Sequence, residues 1–180
     1  MNTLCLESKY SRRRALQSLL VGALGIAASS SLTLAGSVKV GDTFPELGGF
    51  GLEGTQPDLK GKVVLLDFWA SWCAPCKKSF PIMKELQAKF GSRGFLVLAV
   101  SVDEQQSAMQ SFLKKDPPTF AILRDGKGRL AEAVGVEKMP TSFLIGADGE
   151  VAAIHSGFDG EPTRKKYLAE IESTLKSVGK

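Results

Sequence analysis

Val63-Val64-Leu65-Leu66-Asp67-Phe68-Trp69-Ala70-Ser71-Trp72-Cys73-Ala74-Pro75-Cys76-Lys77 is the stretch on which the fold turns. Val63 to Trp69 is a continuous β-branched and apolar run broken only by Asp67, the pattern of a strand covered on both faces. From Pro75 onward the period changes. Phe80, Met83, Leu86 and Phe90 recur at three- and four-residue spacing until Gly91, which reads as a helix. The two cysteines therefore stand between a buried strand and the start of a helix. Unpaired N–H groups in the first helical turn, with the helix dipole, favour a thiolate on Cys73. Pro75 suits that turn because its missing N–H would have had no partner there. Cys76, one turn further in, is expected to be the more buried partner. A two-residue spacer lets the sulfurs interchange dithiol and disulfide without refolding, so redox exchange is the chemistry this pattern implies. Purely structural pairing is the blander reading, but so short a loop constrains the unfolded chain little. Zinc needs about four ligands, and beyond residue 35 the chain offers two cysteines and His155.

Outward from this segment the elements alternate. Residues 36–60 are rich in Gly and polar groups, with breaks at Phe44-Pro45 and Gly48-Gly49, and predict an irregular or hairpin-like lead-in. A second buried strand is expected over 95–102, a helix over 108–114 ended by Pro117-Pro118, a short strand over 120–123 and a helix over 129–134. Residues 142–145 and 151–155 flank Ala147-Asp148-Gly149 as a hairpin, and 164–175 close the chain as a helix. Such alternation predicts an α/β fold, a central mixed β-sheet flanked by helices.

Of the 180 residues, the first 35 carry Lys9, Arg12, Arg13 and Arg14 against Glu7, a surplus of +3. The other 145 hold 19 basic and 18 acidic groups, a net charge of +1, so no basic footprint for nucleic acid remains. Arginines followed by an apolar core from Leu19 to Ala28 and a small-residue exit at Thr33-Leu34-Ala35 read as a secretory signal peptide. An uncleaved N-terminal membrane anchor is the alternative, although the core is shorter than the roughly 18–20 residues that span a bilayer. Ser11-Arg12-Arg13-Arg14-Ala15-Leu16 resembles a twin-arginine signal, with Ala15 where that pattern has an aromatic. The expected organisation is a signal over 1–35 and one domain over 36–180, placed in the periplasm or another extracytoplasmic space.

The segment from Asp67 to Lys77 resembles the active site of the thioredoxin superfamily, and Met139-Pro140-Thr141 resembles that family's cis-proline segment. The added element from Asp103 to Leu123 looks like the strand-helix insertion of the TlpA/ResA/DsbE branch of exported thiol–disulfide oxidoreductases. Val40-Gly41-Asp42, Phe44-Pro45 and Phe143-Leu144-Ile145 with Asp148-Gly149 are similar to that branch too. The likeness covers about 38–178 and implies a thioredoxin-like fold with that insertion and an N-terminal hairpin-like extension.

The resemblance makes Cys73 the nucleophile and Cys76 the resolving cysteine. Asp67 matches the family's buried acid, with a raised pKa and a proton path to Cys76 through water. Pro140, in cis, would set the backbone of Met139 beside the disulfide, where an extended substrate could pair. Trp72, Ala74, Pro75 and Met139 form the expected substrate-binding rim, with Trp69 packed below it. Phe80, Met83 and Phe158 are read as core or near-core residues, not as a ligand box. No metal and no cofactor beyond a redox-active Cys73–Cys76 disulfide is expected. The implied partners are a client protein carrying a disulfide and a membrane thiol reductase of DsbD or CcdA type as electron donor, with no nucleic acid and a monomeric state.

Departures from the family pattern refine this. Ser79 stands where cytochrome c maturation members carry an acid, which counts against a dedicated apocytochrome client. Ala99 replaces the lysine that thioredoxins place near the buried acid, so the proton affinity of Asp67 should be higher still. Ala74-Pro75 lacks the histidine of strongly oxidising relatives, which favours a reducing role over a disulfide-forming oxidase. A copper-delivery module of the same fold is the rival from another class. Against it, Met83, Met109 and Met139 form no cluster, and His155 on a hairpin strand reads as solvated. A peroxidase is disfavoured by Ala70 three residues before Cys73.

Overall fold

Strand β1 (Val63–Trp69) is buried along its whole length and forms the centre of a five-stranded sheet. The computed structural model describes residues 36–177, so the signal-peptide and anchor readings on 1–35 lie outside the described residues. Helix α1 (Ala74–Phe90) leads from β1 to β2 (Phe95–Ser101), which lies parallel to β1 with Asp67 opposite Ala99. The reversal between them uses Gly94 at φ 83°, a left-handed conformation that glycine adopts without a Cβ clash. Helix α2 (Gln106–Lys115) and β3 (Ala121–Arg124) follow, with β3 parallel to β2 at one edge of the sheet. After the short α3 (Arg129–Ala133), β4 (Thr141–Ile145) runs antiparallel to β1 and sets Ser142 opposite Asp67. Strand β5 (Val151–Ser156) completes the hairpin, and α4 (Glu161–Ser177) closes the described chain. The order β3-β2-β1-β4-β5 is the mixed sheet expected.

Alternation along β1 divides the core in two. Val64, Leu66 and Phe68 join Leu98, Val100 and Phe143 beneath α3 and the N-terminal segment, whose Phe44 and Leu47 are buried there. Val63 and Leu65 face the other way, against Met83, Leu86 and Phe90 of α1 and Tyr167 and Ile171 of α4. Trp69 continues this second face into a cluster with Cys73, Cys76, Phe80 and Met109. Each fully buried large apolar side chain contributes roughly 1.5–3 kcal/mol relative to exposure. Phe80 and Met83 are core as expected, and Phe158 is half-buried.

Of the irregular and hairpin-like alternatives for the lead-in, the irregular one holds. The segment forms a 3-10 turn (Leu47–Phe50) and reaches distant strands through single bridges, Thr43 to Glu150 and Glu53 to Arg124. Backbone bonds from Val38 to Val134, Gly41 to Val151 and Phe44 to Gly149 strap it across the sheet. Its unpaired backbone groups are satisfied by elements far along the chain. Among the described residues, no helix is long and apolar enough to cross a membrane.

Candidate active site

Cys73 caps α1. Its backbone is extended, and its Sγ accepts from the Cys76 N–H at 3.3 Å. No acidic residue occupies the first turn, and Pro75 lies within it. When the pair is reduced, the same N–H and the helix dipole point at a Cys73 thiolate, which favours it. In this structure the two sulfurs are joined as a disulfide, with Cα atoms 5.3 Å apart. Cys73 keeps 5% exposure while Cys76 is fully enclosed. Ser79, one turn on, is also buried and donates its hydroxyl to the Cys76 carbonyl at 2.8 Å.

The loop that presents Cys73 is tied down from β2. Buried Asp103 accepts from the Ser71 N–H at 2.9 Å, the Ser71 hydroxyl at 2.7 Å and the Ser101 hydroxyl at 2.8 Å. Next to that anchor, Trp72 is 67% exposed. Trp69 lies fully buried among Phe80 and Phe112, with ring centroids at 4.7 and 5.3 Å. The Met139–Pro140 bond is cis, as the resemblance implied. A cleft of about 450 Å³ runs between Trp72, Cys73, Ala74 and Pro75 on one side and residues 136–139 on the other. A larger one of about 730 Å³ opens at the far end of β1, away from both cysteines. Chemistry rather than size therefore locates the site.

Asp67 is completely buried. It shares the sheet face of Leu65, which packs against α1, and of Trp69, which packs with Cys76. Burial pushes its carboxyl up from 3.8 to about 7, with the Ser142 hydrogen bond pulling the other way. Oδ1 accepts from the Ser142 hydroxyl at 2.6 Å, and Ser142 Oγ lies 2.8 Å from the Tyr167 hydroxyl. Oδ2 has no hydrogen-bond partner among the described residues.

Residues 39–171 match the Redoxin family. The chain belongs to that family. This redoxin is 34% identical over 157 residues to the thiol-disulfide oxidoreductase ResA of Bacillus thuringiensis subsp. konkukian (strain 97-27), covering 85% of this chain and 91% of the relative. It is 32% identical over 170 residues to ResA of Geobacillus kaustophilus, covering 92% and 98%. A crystal structure from Chlorobium tepidum, assigned as a thiol:disulfide interchange protein DsbE, aligns with a TM-score of 0.72 at 40% identity, covering 77% of this chain and 99% of that one. The redoxin described here is thus a thiol–disulfide oxidoreductase of the ResA/DsbE-like branch of the thioredoxin superfamily.

Sequence reading placed Cys73, Cys76, Asp67, Trp72, Ala74, Pro75, Met139 and Pro140 at one locus, and the fold brings these to the C-terminal end of β1 and its β4 neighbour. It missed Ser142, Tyr167 and Asp103. One expectation is corrected: His155 is not solvated. Its side chain is 11% exposed, its Nε2 lies 2.6 Å from Glu170 Oε2, and its ring packs edge-on against Tyr167 at 4.9 Å. Helix α4 brings Tyr167 and Glu170 against His155, on the sheet face that Ser142 shares, which alternation within β5 alone does not reveal.

Proposed function

We propose that this redoxin is an exported protein-disulfide reductase. The observation that carries the reading is a buried carboxyl, Asp67, on the α1 side of the sheet behind a helix-opening Cys73–Cys76 pair. In the reducing direction, the Cys73 thiolate attacks a client disulfide, forming a Cys73–client bond and releasing one client sulfur as thiolate. The Cys76 thiol gives its proton to Asp67, and the resulting thiolate attacks Cys73 Sγ. The Cys73–Cys76 bond forms, the second client sulfur leaves, and two electrons have passed from this dithiol to the client. Trp72, Ala74, Pro75 and Met139 would hold an extended client segment in the cleft, with Pro140 setting its floor.

The direction rests on Ala74-Pro75, which lacks the histidine that would strengthen an oxidant. Since an extracytoplasmic space oxidises free dithiols, turnover needs a membrane thiol reductase of DsbD or CcdA type to return electrons. Export rests on the arginine, apolar-core and small-residue pattern of residues 1–35. No cofactor beyond the cysteine pair enters the cycle, and the monomer suffices for it. Acid-quenching cells and alkylating Cys73 and Cys76 tests the direction. A mostly reduced pair is expected; a mostly oxidised one would make the enzyme a disulfide-forming oxidase.

A further inference from the structure

The hydroxyl hydrogens around Asp67 fix which carboxyl oxygen is free, a point that rests on the proposal that this carboxyl exchanges a proton with Cys76. We infer that the hydroxyls of Tyr167 and Ser142 form a fixed donor chain, orienting Asp67 so that Oδ2 alone carries the exchanged proton. A serine hydroxyl has one hydrogen, and a carboxylate only accepts. With Ser142 donating to Oδ1 at 2.6 Å, Ser142 Oγ must accept from the Tyr167 hydroxyl at 2.8 Å. The reverse orientation would start from a proton on Oδ1 and leave the Tyr167 hydrogen without an acceptor among the described residues. In a fully buried site that loss is costly. Burial first, and the Asp67 charge second, push the Tyr167 phenol above its ordinary value, so it remains a donor while Asp67 titrates.

The surroundings leave few rivals for this role. Opposite Asp67, β2 presents Ala99 and β4 presents Ser142, while α1 contributes Cys76 and α4 Tyr167. Around Tyr167 the further titratable groups are His155, packed on its ring, and Glu170, bonded to His155. Ser142 and Tyr167 are thus positioning residues. They stabilise the carboxylate by donation, and they direct the proton to the oxygen that has no other partner.

The test follows the pH dependence of Cys73–Cys76 bond formation when the reduced full chain reacts with glutathione disulfide. Carbon-13 NMR of the Asp67 carboxyl reads the same titration at its source. The limb lost in Asp67→Asn is the one Asp67 controls. Removing donors makes the carboxylate less favourable, so Ser142→Ala is expected to move that limb and the NMR midpoint upward by about one pH unit, tenfold in proton affinity. Tyr167→Phe should move both in the same direction by less, and Ser142→Thr should restore them. Should Ser142→Ala fail to fold, the nearly isosteric Tyr167→Phe decides alone. A limb absent in Asp67→Asn but unmoved in the hydroxyl variants would overturn the donor chain and leave the role of Asp67 intact. A limb that persists in Asp67→Asn would overturn the reading beneath it. An equal shift in His155→Gln would assign the effect to packing on the Tyr167 ring and likewise overturn the inference.

Discussion

Asp67 is a carboxyl that the fold holds out of water on the sheet face that carries the cysteine pair, and the consequence reaches stability as well as chemistry. Its folded pKa, raised by burial to about 7, lies above its unfolded value of 3.8. Between those values the native state binds a proton that the unfolded chain has released, so stability falls as pH rises through this window. Below it both states are protonated, and the penalty disappears. Asp67→Asn removes the charge while keeping the shape, so denaturant melts should coincide near pH 4 and diverge above pH 7. There the variant should be more stable by up to about 4 kcal/mol, a shift of roughly three pKa units at about 1.4 kcal/mol each. Parallel curves at both pH values would mean that Asp67 carries no buried charge. Asp67 was legible in the sequence because a lone acid interrupts an apolar strand next to the cysteines. Ser142 and Tyr167 were not, since the antiparallel register of β4 on β1 and the seating of α4 bring them to it from 75 and 100 positions away.

At the level of elements, the insertion after β2 organises the loop between β1 and α1. Asp103 gathers three donors there, and Arg124 at the end of β3 donates to the Asp103 and Glu104 carbonyls at 3.0 and 2.8 Å while pairing with Glu53. Asp103→Ala leaves the Ser71 and Ser101 donors without their acceptor. That should destabilise the protein by about 2–4 kcal/mol and speed amide exchange at Ser71 and its neighbours. Unchanged protection at Ser71 would show that the loop holds its own shape. The elements themselves were readable because each has its own period and its own breaks. Strands β1 and β2 and helices α1 and α4 match the sequence reading to within a few residues. What failed was partnership: the lead-in pairs with Glu150 and Arg124, and α4 covers His155. Neither contact leaves a mark within the segment that makes it.

The molecule as a whole separates stability from chemistry on the two faces of its sheet. Phe44 packs against Phe143 at 5.3 Å on the α3 face, while Asp67 and the cysteines occupy the α1 face. Phe44→Ala should therefore cost about 3–4 kcal/mol of stability, as large-to-small core changes do. The exchange rate with a small disulfide should stay at the parent's value, and a slower one would show that the faces are coupled through β1. The central claim is that Cys73 attacks and Cys76 resolves, and it is tested most directly by trapping. Cys76→Ser and Cys73→Ser would each be purified under acid-quenched, non-reducing conditions and compared on one gel. Cys76→Ser should accumulate adducts in which a client sulfur remains bonded to Cys73, because serine cannot make the second attack. Cys73→Ser should accumulate none, since the first attack is lost; equal adducts in both variants, or adducts in Cys73→Ser alone, would contradict the assignment.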